Sequence, residues 1–246
     1  MRAADAKIYE NWTDVSGFLI CDPRIVNDPS PIKTITYAEL RELAYMGATV
    51  LHEDAIFPVR AAGIPVNIKN TNCPQDRGTM IVSETAEPCE HIITGIAGKK
   101  GMSVINIEKD KMNSEVGFGR NVLRALEKSN VSFEHMPSGV DTMSVVIQTE
   151  ALAGKETVIL DEIRSRVHPD QLFIESDLAL IAVVGRGMKS ARGTAAILFT
   201  ALAEARVNIK MIDQGSSELN IIIGVADEDF EVAMRAIYNA FIKVKK

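Results

Sequence analysis

The sequence predicts a mixed α/β protein whose carboxy-terminal half contains the same small module twice. Residues 102–148 align without a gap on residues 178–224, 76 positions further along, and nine of the 47 pairs are identical. The spacing of apolar residues also agrees between the two stretches, which is a stronger sign of a shared fold than identity. Because solenoid repeats are about 20–50 residues long, a period of 76 indicates a duplicated domain. The first 90 residues have a different pattern, that of an α/β sheet domain.

Composition places the chain among ordinary globular proteins. Of its 246 residues, 46% are apolar and 24% are charged, and the net charge is −6. This charge and the lack of a basic run argue against nucleic acid and anionic membranes as partners. No apolar window approaches the ~20 residues of a membrane span. Cys21, Cys73 and Cys89 are odd in number and lack metal-ligand spacing, so we expect free thiols, no metal site and a cytoplasmic location.

Residues 1–90 are predicted to belong to a larger α/β domain. Thr36 and Glu39 have the spacing of a capping box, and the helix that they begin should end at Gly47. Nothing before Lys7 could pair with the first predicted strand or cover it, whereas a parallel strand needs neighbours. We therefore expect the body of this domain to lie outside the chain. The other predicted elements are strands over residues 6–12, 18–21, 65–69 and 79–82, loops over 13–17, 27–31 and 70–78, and a helix over 50–62.

Each copy of the repeat is predicted to form a βαββαβ unit, the order of a ferredoxin-like fold. Copy one, residues 101–176, has four predicted strands, whereas copy two ends without its fourth. An unpaired edge would be an aggregation liability, and the apolar segment 91–96 is free to fill it. We therefore predict that copy one is inserted into copy two, which comprises residues 91–97 and 177–246. The predicted strands are 102–108, 131–136, 142–148 and 172–175 in copy one and 178–184, 207–212 and 219–225 in copy two, with helices over 115–129, 154–167, 193–205 and 229–244.

The loops that begin the first helix of each copy are candidate binding sites. Free N–H groups and the helix dipole favour a carboxylate or phosphate at such a position. Gly117 and its counterpart Gly193 would let a ligand approach the backbone. The alternative is a plain capping loop, and three residues recur between the copies: Met112, Ser114 and Gly117 correspond to Met188, Ser190 and Gly193.

A second candidate group lies in residues 132–141 of copy one. Glu134 and Asp141 could hold an ammonium group, which together with the helix start would make a site for a zwitterion. The alternative is that both acids lie on a solvent-exposed face. Copy two has Lys210 and Ser217 at the equivalent positions, so we expect the ligand on copy one.

Several stretches of the chain resemble aspartate kinases. Trp12-Thr13-Asp14-Val15-Ser16-Gly17 and Cys21-Asp22-Pro23-Arg24 resemble the nucleotide-binding segment of that family. The segment Met46-Gly47-Ala48-Thr49-Val50-Leu51-His52 and the closing Gly78-Thr79-Met80 are also similar to it. The tandem modules, with Val116-Gly117-Phe118 and residues 132–141, resemble the family's pair of ACT regulatory domains.

The resemblance implies the carboxy-terminal portion of a kinase that uses ATP with Mg²⁺ to phosphorylate the β-carboxylate of L-aspartate, the first step toward lysine, threonine and methionine. Residues 1–90 would be the end of its amino-acid kinase domain. Leu19 replaces an aromatic residue and Thr49 a lysine that are common in the family. The Lys-rich phosphate motif and the aspartate-binding residues are not in this chain, so we expect no catalytic residue and no activity from the chain alone. The nucleotide contacts that the resemblance implies are Thr13, Asp14, Ser16, Gly17 and Arg24.

The resemblance to ACT domains implies an end-product amino acid bound at a module interface of a homodimer. An acid at position 134 suits the amines of lysine, so lysine is favoured over threonine. The positions that match the effector site are Met112, Ser114, Glu115, Val116, Gly117, Phe118, Ser132, Phe133, Glu134, Ser138 and Asp141, with Asn208 from the second module.

Two other interpretations remain open at this point. One is a stand-alone amino-acid-sensing protein that regulates a catalytic partner. The other is a pair of ferredoxin-like modules that bind RNA on the sheet, which would need exposed aromatic and basic residues on the strands. Copy one has Phe133 where copy two has Ile209, and the net charge is −6, so RNA is disfavoured.

Overall fold

The computed structural model describes residues 6–48, 58–85 and 89–243, which form two β-sheets covered by helices. The amino-terminal part, which comprises the described residues up to 85, contains a four-stranded sheet of order β1–β3–β4–β2. Strand β1 runs parallel to β3 and β2 parallel to β4, while β3 and β4 are antiparallel. The strands are β1 (Tyr9–Thr13), β2 (Thr34–Thr36), β3 (Val66–Asn70) and β4 (Thr79–Val82).

The predicted capping box begins helix α1 (Tyr37–Tyr45), and the prediction is confirmed. The backbone N–H of Glu39 donates to the Thr36 hydroxyl at 3.3 Å, and the Thr36 N–H donates to the Glu39 carboxylate at 2.9 Å. Gly47 follows the helix with φ +99°, a left-handed conformation that favours glycine.

One prediction for the amino-terminal part is wrong, and one strand was missed. The predicted strand over residues 18–21 is a single bridge between Leu19 and Pro31, so its backbone pairs with a loop rather than with the sheet. Strand β2 was not predicted, because three residues between a loop and a capping box are too short to show a period. Most of the predicted helix over residues 50–62 lies outside the described residues, although residues 58–61 are helical.

The second sheet has five antiparallel strands in the order β6–β5–β7–β9–β8. The last helix of the described chain, Phe230–Tyr238, continues into a π-helical segment, Asn239–Lys243. The strands are β5 (Gly95–Glu108), β6 (Thr142–Gln148), β7 (Gln171–Val184), β8 (Met211–Asp213) and β9 (Asn220–Ala226), and the helices are α2 (Phe118–Lys128), α3 (Glu156–Val167), α4 (Thr194–Glu204) and α5 (Phe230–Tyr238).

Strands β5 and β7 run through both copies of the repeat. Residues 95–99 of β5 pair with residues 180–184 of β7, and residues 102–108 pair with residues 171–178. The first half of β5 therefore supplies the fourth strand of copy two, and the second half is the first strand of copy one. Copy one is inserted into copy two. The prediction of a separate strand over residues 91–96 is wrong in its bounds, because the strand begins at Gly95 and continues without a break to Glu108.

The long strands bend where copy two passes into copy one. The pairing register shifts between Lys99 and Met102 and shifts back between Met102 and Val104. Gly101 (φ +78°) and Asp177 (φ +61°) lie at this place on the two strands. Bulges of this kind increase the local twist of a sheet, so the two copies differ in orientation although they share two strands.

The predicted strand over residues 131–136 is not a regular strand. His135 and Ser138 make isolated bridges to Val146 and Met143 on the outer side of β6. Pro137 accepts a hydrogen bond from the N–H of Ser144 at 2.9 Å but has no N–H to donate, which interrupts the ladder. The corresponding strand of copy two is shortened to β8. Within the described ranges, no helix is both long and apolar enough to cross a membrane.

The buried apolar residues form two cores rather than three. One lies within copy one, under α2 and α3, and includes Ile105, Leu126 and Ile159. The other is continuous between the amino-terminal part and copy two. Leu43 of α1 shows how tight this junction is: a Cβ at Gly95 would lie 2.7 Å from its side chain. The amino-terminal part and copy two are therefore one packed body, to which copy one is attached.

Glu39 of α1 is a fully buried carboxylate at this junction, with 0% exposure. It accepts hydrogen bonds from the Thr94 hydroxyl at 2.6 Å, and from the N–H and guanidinium of Arg186 in copy two at 2.9 and 3.1 Å. Burial alone would raise the pKa of Glu39, but the hydrogen bonds from Thr94, Thr36 and Arg186 outweigh it and lower the pKa. The ionised carboxylate therefore holds α1 against copy two.

We expect Glu39→Gln to lower the free energy of unfolding at pH 7 by about 3 kcal/mol, since it leaves Arg186, whose side chain is only 19% exposed, without its counter-charge. The folded pKa of Glu39 lies below its ordinary value of 4.5, so this stabilisation is present above pH 4.5 and is lost as the pH falls through the folded pKa. Urea unfolding of both chains from pH 7 downwards measures the difference.

The control for this experiment is Glu231→Gln, because Glu231 is 52% exposed and pairs with Arg235 on the surface of α5. Its removal should cost less than about 0.5 kcal/mol. Equal stability of Glu39→Gln and the unmodified chain at pH 7 would contradict the role given to Glu39.

Candidate nucleotide and effector sites

The loops that follow β1 and β3 meet at one edge of the amino-terminal sheet, because the two strands are parallel. The Ser16 hydroxyl donates to the Asp76 carboxylate at 2.5 Å and accepts from the Asn70 side chain at 2.9 Å. The N–H of Thr71 donates to the carbonyl of Thr13 at 2.8 Å. The carboxyl ends of strands in such sheets are where α/β proteins bind ligands. Two predicted nucleotide contacts, Thr13 and Ser16, lie at this edge.

Gly17 lies against Thr79 of β4 and does not face solvent. It is buried with φ +107°, and a Cβ there would lie 2.3 Å from the Thr79 hydroxyl oxygen. That hydroxyl makes two hydrogen bonds: it accepts from the N–H of Phe18 at 2.8 Å and donates to the carbonyl of Ile32 at 2.6 Å. The glycine is required by the close approach of the loop to β4.

Asp14 and Arg24 are both exposed. Asp14 accepts a hydrogen bond from the Thr13 hydroxyl at 3.1 Å. The Arg24 side chain is 88% exposed and pairs with Asp22 at 2.6 Å, and this hydrogen bond lowers the pKa of Asp22. Arg24 thus contacts Asp22 rather than the Ser16–Asp76 pair.

Sequence reasoning missed Lys69 and Asp76. The Lys69 ammonium donates to the carbonyl of Asp76 and lies 5.7 Å from the centre of the Trp12 ring. Both residues reach the site only because β3 lies beside β1, and strands so far apart in the chain cannot be paired from their patterns. The available signal was the polar loop after β3. Among the described residues, no group of three or more His, Cys, Asp or Glu side chains is arranged to hold a metal ion.

The two helix starts of the repeat share the conformation of one glycine. A short 3₁₀ turn and a left-handed glycine precede each helix, with φ +84° at Gly117 and φ +85° at Gly193. Within the copy-one loop, Met112 and Phe118 are buried in the core and Glu115 pairs with the Lys109 ammonium. Ser114 is exposed and Val116 is 100% exposed, so these two residues face solvent.

Asp141 fixes this loop in place. Its carboxylate accepts from the N–H of Lys111 at 2.8 Å, and the carbonyl of Val140 accepts from the N–H of Asn113 at 3.1 Å. Ser138 lies on the same side, opposite Met143. The structure therefore places Asp141 near the start of α2, where its carboxylate accepts a hydrogen bond from the loop backbone.

Glu134 lies near the other end of β6, where its N–H donates to the carbonyl of Val146 at 2.8 Å. Val146 is four positions along β6 from Thr142, the neighbour of Asp141, which corresponds to about 13 Å along a strand. The chain therefore does not bring Glu134 and Asp141 to one ammonium, and that prediction is wrong within a single chain.

The Glu134 carboxylate is already engaged. Its side chain is 7% exposed, and it accepts from the Lys99 ammonium at 2.8 Å and from the Gln148 amide at 2.7 Å. The Tyr45 hydroxyl also reaches it. Burial alone would raise the pKa of Glu134, but these hydrogen bonds outweigh it and lower the pKa. Partial burial and the Glu134 carboxylate raise the pKa of Tyr45 to about 12.

The remaining predicted effector residues are exposed. Ser132 and Asn208 face solvent, and the Phe133 ring is 42% exposed. Val116, Phe133 and Val140 are large apolar side chains exposed on copy one. A cavity of about 360 Å³ lies between the two copies and is lined by Asn106, Ser138, Ser144, Glu175 and Lys210 together with apolar residues. Ser138 is the predicted effector residue among its described lining residues.

Comparison with known proteins agrees with this architecture. Residues 2–70 match the amino acid kinase family, and residues 181–241 match the ACT domain. Aspartokinase 3 of Bacillus subtilis is 42% identical over 96% of this chain and 52% of its own length. The crystal structure of Clostridium acetobutylicum aspartate kinase superposes with a TM-score of 0.93 at 58% identity, over 98% of this chain and 55% of that one.

The chain belongs to the aspartate kinase family. It corresponds to the carboxy-terminal, regulatory portion of such a kinase, and it spans about half the length of each of these relatives. Escherichia coli aspartokinase III is a more distant relative, at 26% identity. Its structure with aspartate and ADP (R-state) gives a TM-score of 0.80 over 97% of this chain, and its structure with lysine and aspartate (T-state) gives 0.79 over 98%, each covering 53% of that protein.

The paired glycines offer a test of the expectation that an amino acid binds to copy one. We expect Gly117→Ala and Gly193→Ala each to cost about 1 kcal/mol of stability, because a left-handed conformation disfavours a side chain. Gly117→Ala should also weaken binding of L-lysine at least severalfold, whereas Gly193→Ala should not. Urea unfolding and calorimetric titration measure the two effects, and equal loss of affinity in both variants would contradict a site on copy one.

Proposed function

We propose that this chain is the part of an aspartate kinase that binds an end-product amino acid and passes its effect to the kinase domain. The observation that carries the proposal is the continuous core between the amino-terminal part and copy two, with copy one attached through two shared strands. In this arrangement a ligand on copy one acts on a module that is connected to the kinase domain but has its own core.

Lysine is the effector that the chemistry of copy one favours. Glu134 is a buried carboxylate held ionised by its neighbours, so it suits an ammonium group, and lysine has two. The N–H groups at the start of α2 suit the carboxylate of an amino acid, whereas those of residues 111–115 already donate within the protein. The E. coli relative has been crystallised with lysine. Threonine, with one ammonium and a hydroxyl, is the second candidate.

A homodimer through copy one is part of this proposal. Val116, Phe133 and Val140 are exposed apolar residues near the proposed effector positions, and such residues are often covered by a partner. A second chain would bring a further set of helix-start and edge residues to the ligand.

The parent kinase is proposed to transfer a phosphoryl group from ATP, with Mg²⁺, to L-aspartate. The edge formed by Thr13, Ser16 and Asp76 offers hydroxyl and carboxylate groups. Lys69, which donates to the Asp76 carbonyl, and the exposed Arg24 are cations that suit phosphates. We also propose a cytoplasmic location, where the free thiols of the three cysteines remain reduced. A stand-alone sensing protein is not favoured, since residues 2–70 match the amino acid kinase family.

Calorimetric titration with L-lysine and L-threonine tests the proposed effector. We expect lysine to bind the chain more tightly than threonine, and Glu134→Gln to weaken lysine binding by at least tenfold, because a charge-assisted hydrogen bond is lost. Glu127→Gln on the exposed face of α2 is the matched control and should leave affinity unchanged. Unchanged lysine affinity in Glu134→Gln would remove Glu134 from the site.

The isolated chain is expected not to phosphorylate aspartate, because it spans about half of its relatives. An aspartokinase assay with ATP, Mg²⁺ and L-aspartate, in which the acyl phosphate is trapped with hydroxylamine, checks this. Turnover above the level of a sample without protein would contradict the expectation.

A further inference from the structure

The carboxylate of Glu134 connects three parts of the molecule. Glu134 lies on the outer edge of copy one. Lys99, whose ammonium donates to it at 2.8 Å, lies on the half of β5 that pairs with copy two. Tyr45, whose hydroxyl reaches it, is the last residue of α1 in the amino-terminal part. The Lys99 ammonium also lies 4.4 Å from the centre of the Tyr45 ring, so the three side chains form one cluster.

Lys99 gives Glu134 the same chemical partner that a free amino acid would give it, a primary ammonium. The Glu134 side chain is 7% exposed and that of Lys99 is 20% exposed, so the pair is largely shielded from water. Water cannot readily replace either partner of such a pair, since a buried charge without a counter-charge is costly. A ligand ammonium, in contrast, can replace Lys99 without leaving the carboxylate unpaired.

We propose that Lys99 is an internal ligand of Glu134, that the effector's ammonium displaces it, and that the displacement releases Tyr45 and so changes how α1 is held against copy one. This inference rests on the proposed binding of an amino acid at Glu134. It makes Lys99 and Tyr45 positioning residues that act on the site without being part of the ligand's own contacts.

Because α1 is anchored to copy two, the displacement of Lys99 changes the contact between α1 and copy one. Glu39 of α1 is bonded to Arg186, and Glu42 accepts from the Asn220 amide at 2.6 Å, so two residues of the helix are fixed to copy two. Tyr45, at the end of the helix, reaches copy one instead. When Tyr45 is released, α1 stays with copy two while copy one loses a contact with it.

The bend between the copies provides a hinge for movement of copy one. The register shifts of β5 and β7 lie at Gly101 and Asp177, which are two and three residues beyond the last copy-two pair, Lys99–Leu180. Lys99 therefore lies just before this bend, on the side of copy two, and Glu134 lies beyond it. Their ion pair bridges the bend, and its loss frees the two copies to change their relative angle.

The sign of one substitution separates this proposal from a structural ion pair. If Lys99 competes with the ligand, Lys99→Met should tighten L-lysine binding. Occupancy of Glu134 by Lys99 for about nine-tenths of the time would correspond to a gain of about tenfold. Lys99→Arg keeps the competitor and adds bidentate geometry, so it should bind L-lysine equally or more weakly. A merely structural pair predicts weaker binding for Lys99→Met.

Lys100→Met is the matched control, because Lys100 is the next residue, is exposed, and faces the Phe230 ring at 5.5 Å rather than Glu134. It should bind L-lysine like the unmodified chain. Circular dichroism shows whether each variant is folded.

A second measurement does not depend on a Lys99 variant. The chain has four tyrosines, so carbon-13 labelling of tyrosine rings gives few signals, and Tyr45→Phe assigns that of Tyr45. L-Lysine should shift the Tyr45 signal and leave that of Tyr238, buried in copy two, in place.

The outcomes distinguish the inference from the function on which it rests. Tighter binding by Lys99→Met together with a shifted Tyr45 signal supports the proposal. If L-lysine binds the unmodified chain but Lys99→Met binds it no more tightly, or if the Tyr45 signal stays in place, internal competition is refuted and the effector site stands. If neither L-lysine nor L-threonine binds the unmodified chain, both proposals fall.

Discussion

The antiparallel pairing of β5 with β7 is the constraint on which the rest of the structure depends. Both strands have 14 residues and pass through both modules, so each module is completed by a strand that also belongs to its neighbour. A slip of one residue would turn every side chain to the opposite face of the sheet. The register is therefore fixed in both modules together, and one module cannot be removed without opening the other.

The shared strands β5 and β7 also determine how the two modules can differ in orientation. The bulges near Gly101 and Asp177 allow a change of direction without a break in the hydrogen-bonded ladder. On one side of the bend, copy two is fused to the amino-terminal part by a common core and by the buried Glu39–Arg186 pair. On the other side, copy one has its own core. The molecule thus consists of one packed body and an attached module that has its own core.

The sequence predicted the elements that have a strong period or a specific cap. The capping box at Thr36, the helices α2 and α4, and the insertion of copy one followed from local patterns and from counting strands. It did not predict that residues 95–108 form one strand, because Lys99, Lys100 and Gly101 interrupt the apolar pattern at the bulge. Nor did it predict β2 or the irregular edge at Pro137, whose structure depends on neighbours distant in the chain.

The sequence predicted which segments contain the candidate site residues, but not which side chains contact one another. The helix-start loop and Asp141 do meet, since both lie at the same end of β6. The partners of Glu134 were not predictable, because Lys99, Gln148 and Tyr45 come from three elements that only the folded sheet brings together. Likewise Asp76, which contacts Ser16, lies 60 positions further along the chain.

If a ligand on copy one alters the amino-terminal part, hydrogen exchange of the chain with and without saturating L-lysine will show it. We expect changed exchange not only in copy one but also at the amides of residues 95–99 and 37–45, in β5 and α1. Changes confined to residues 101–176 would contradict it.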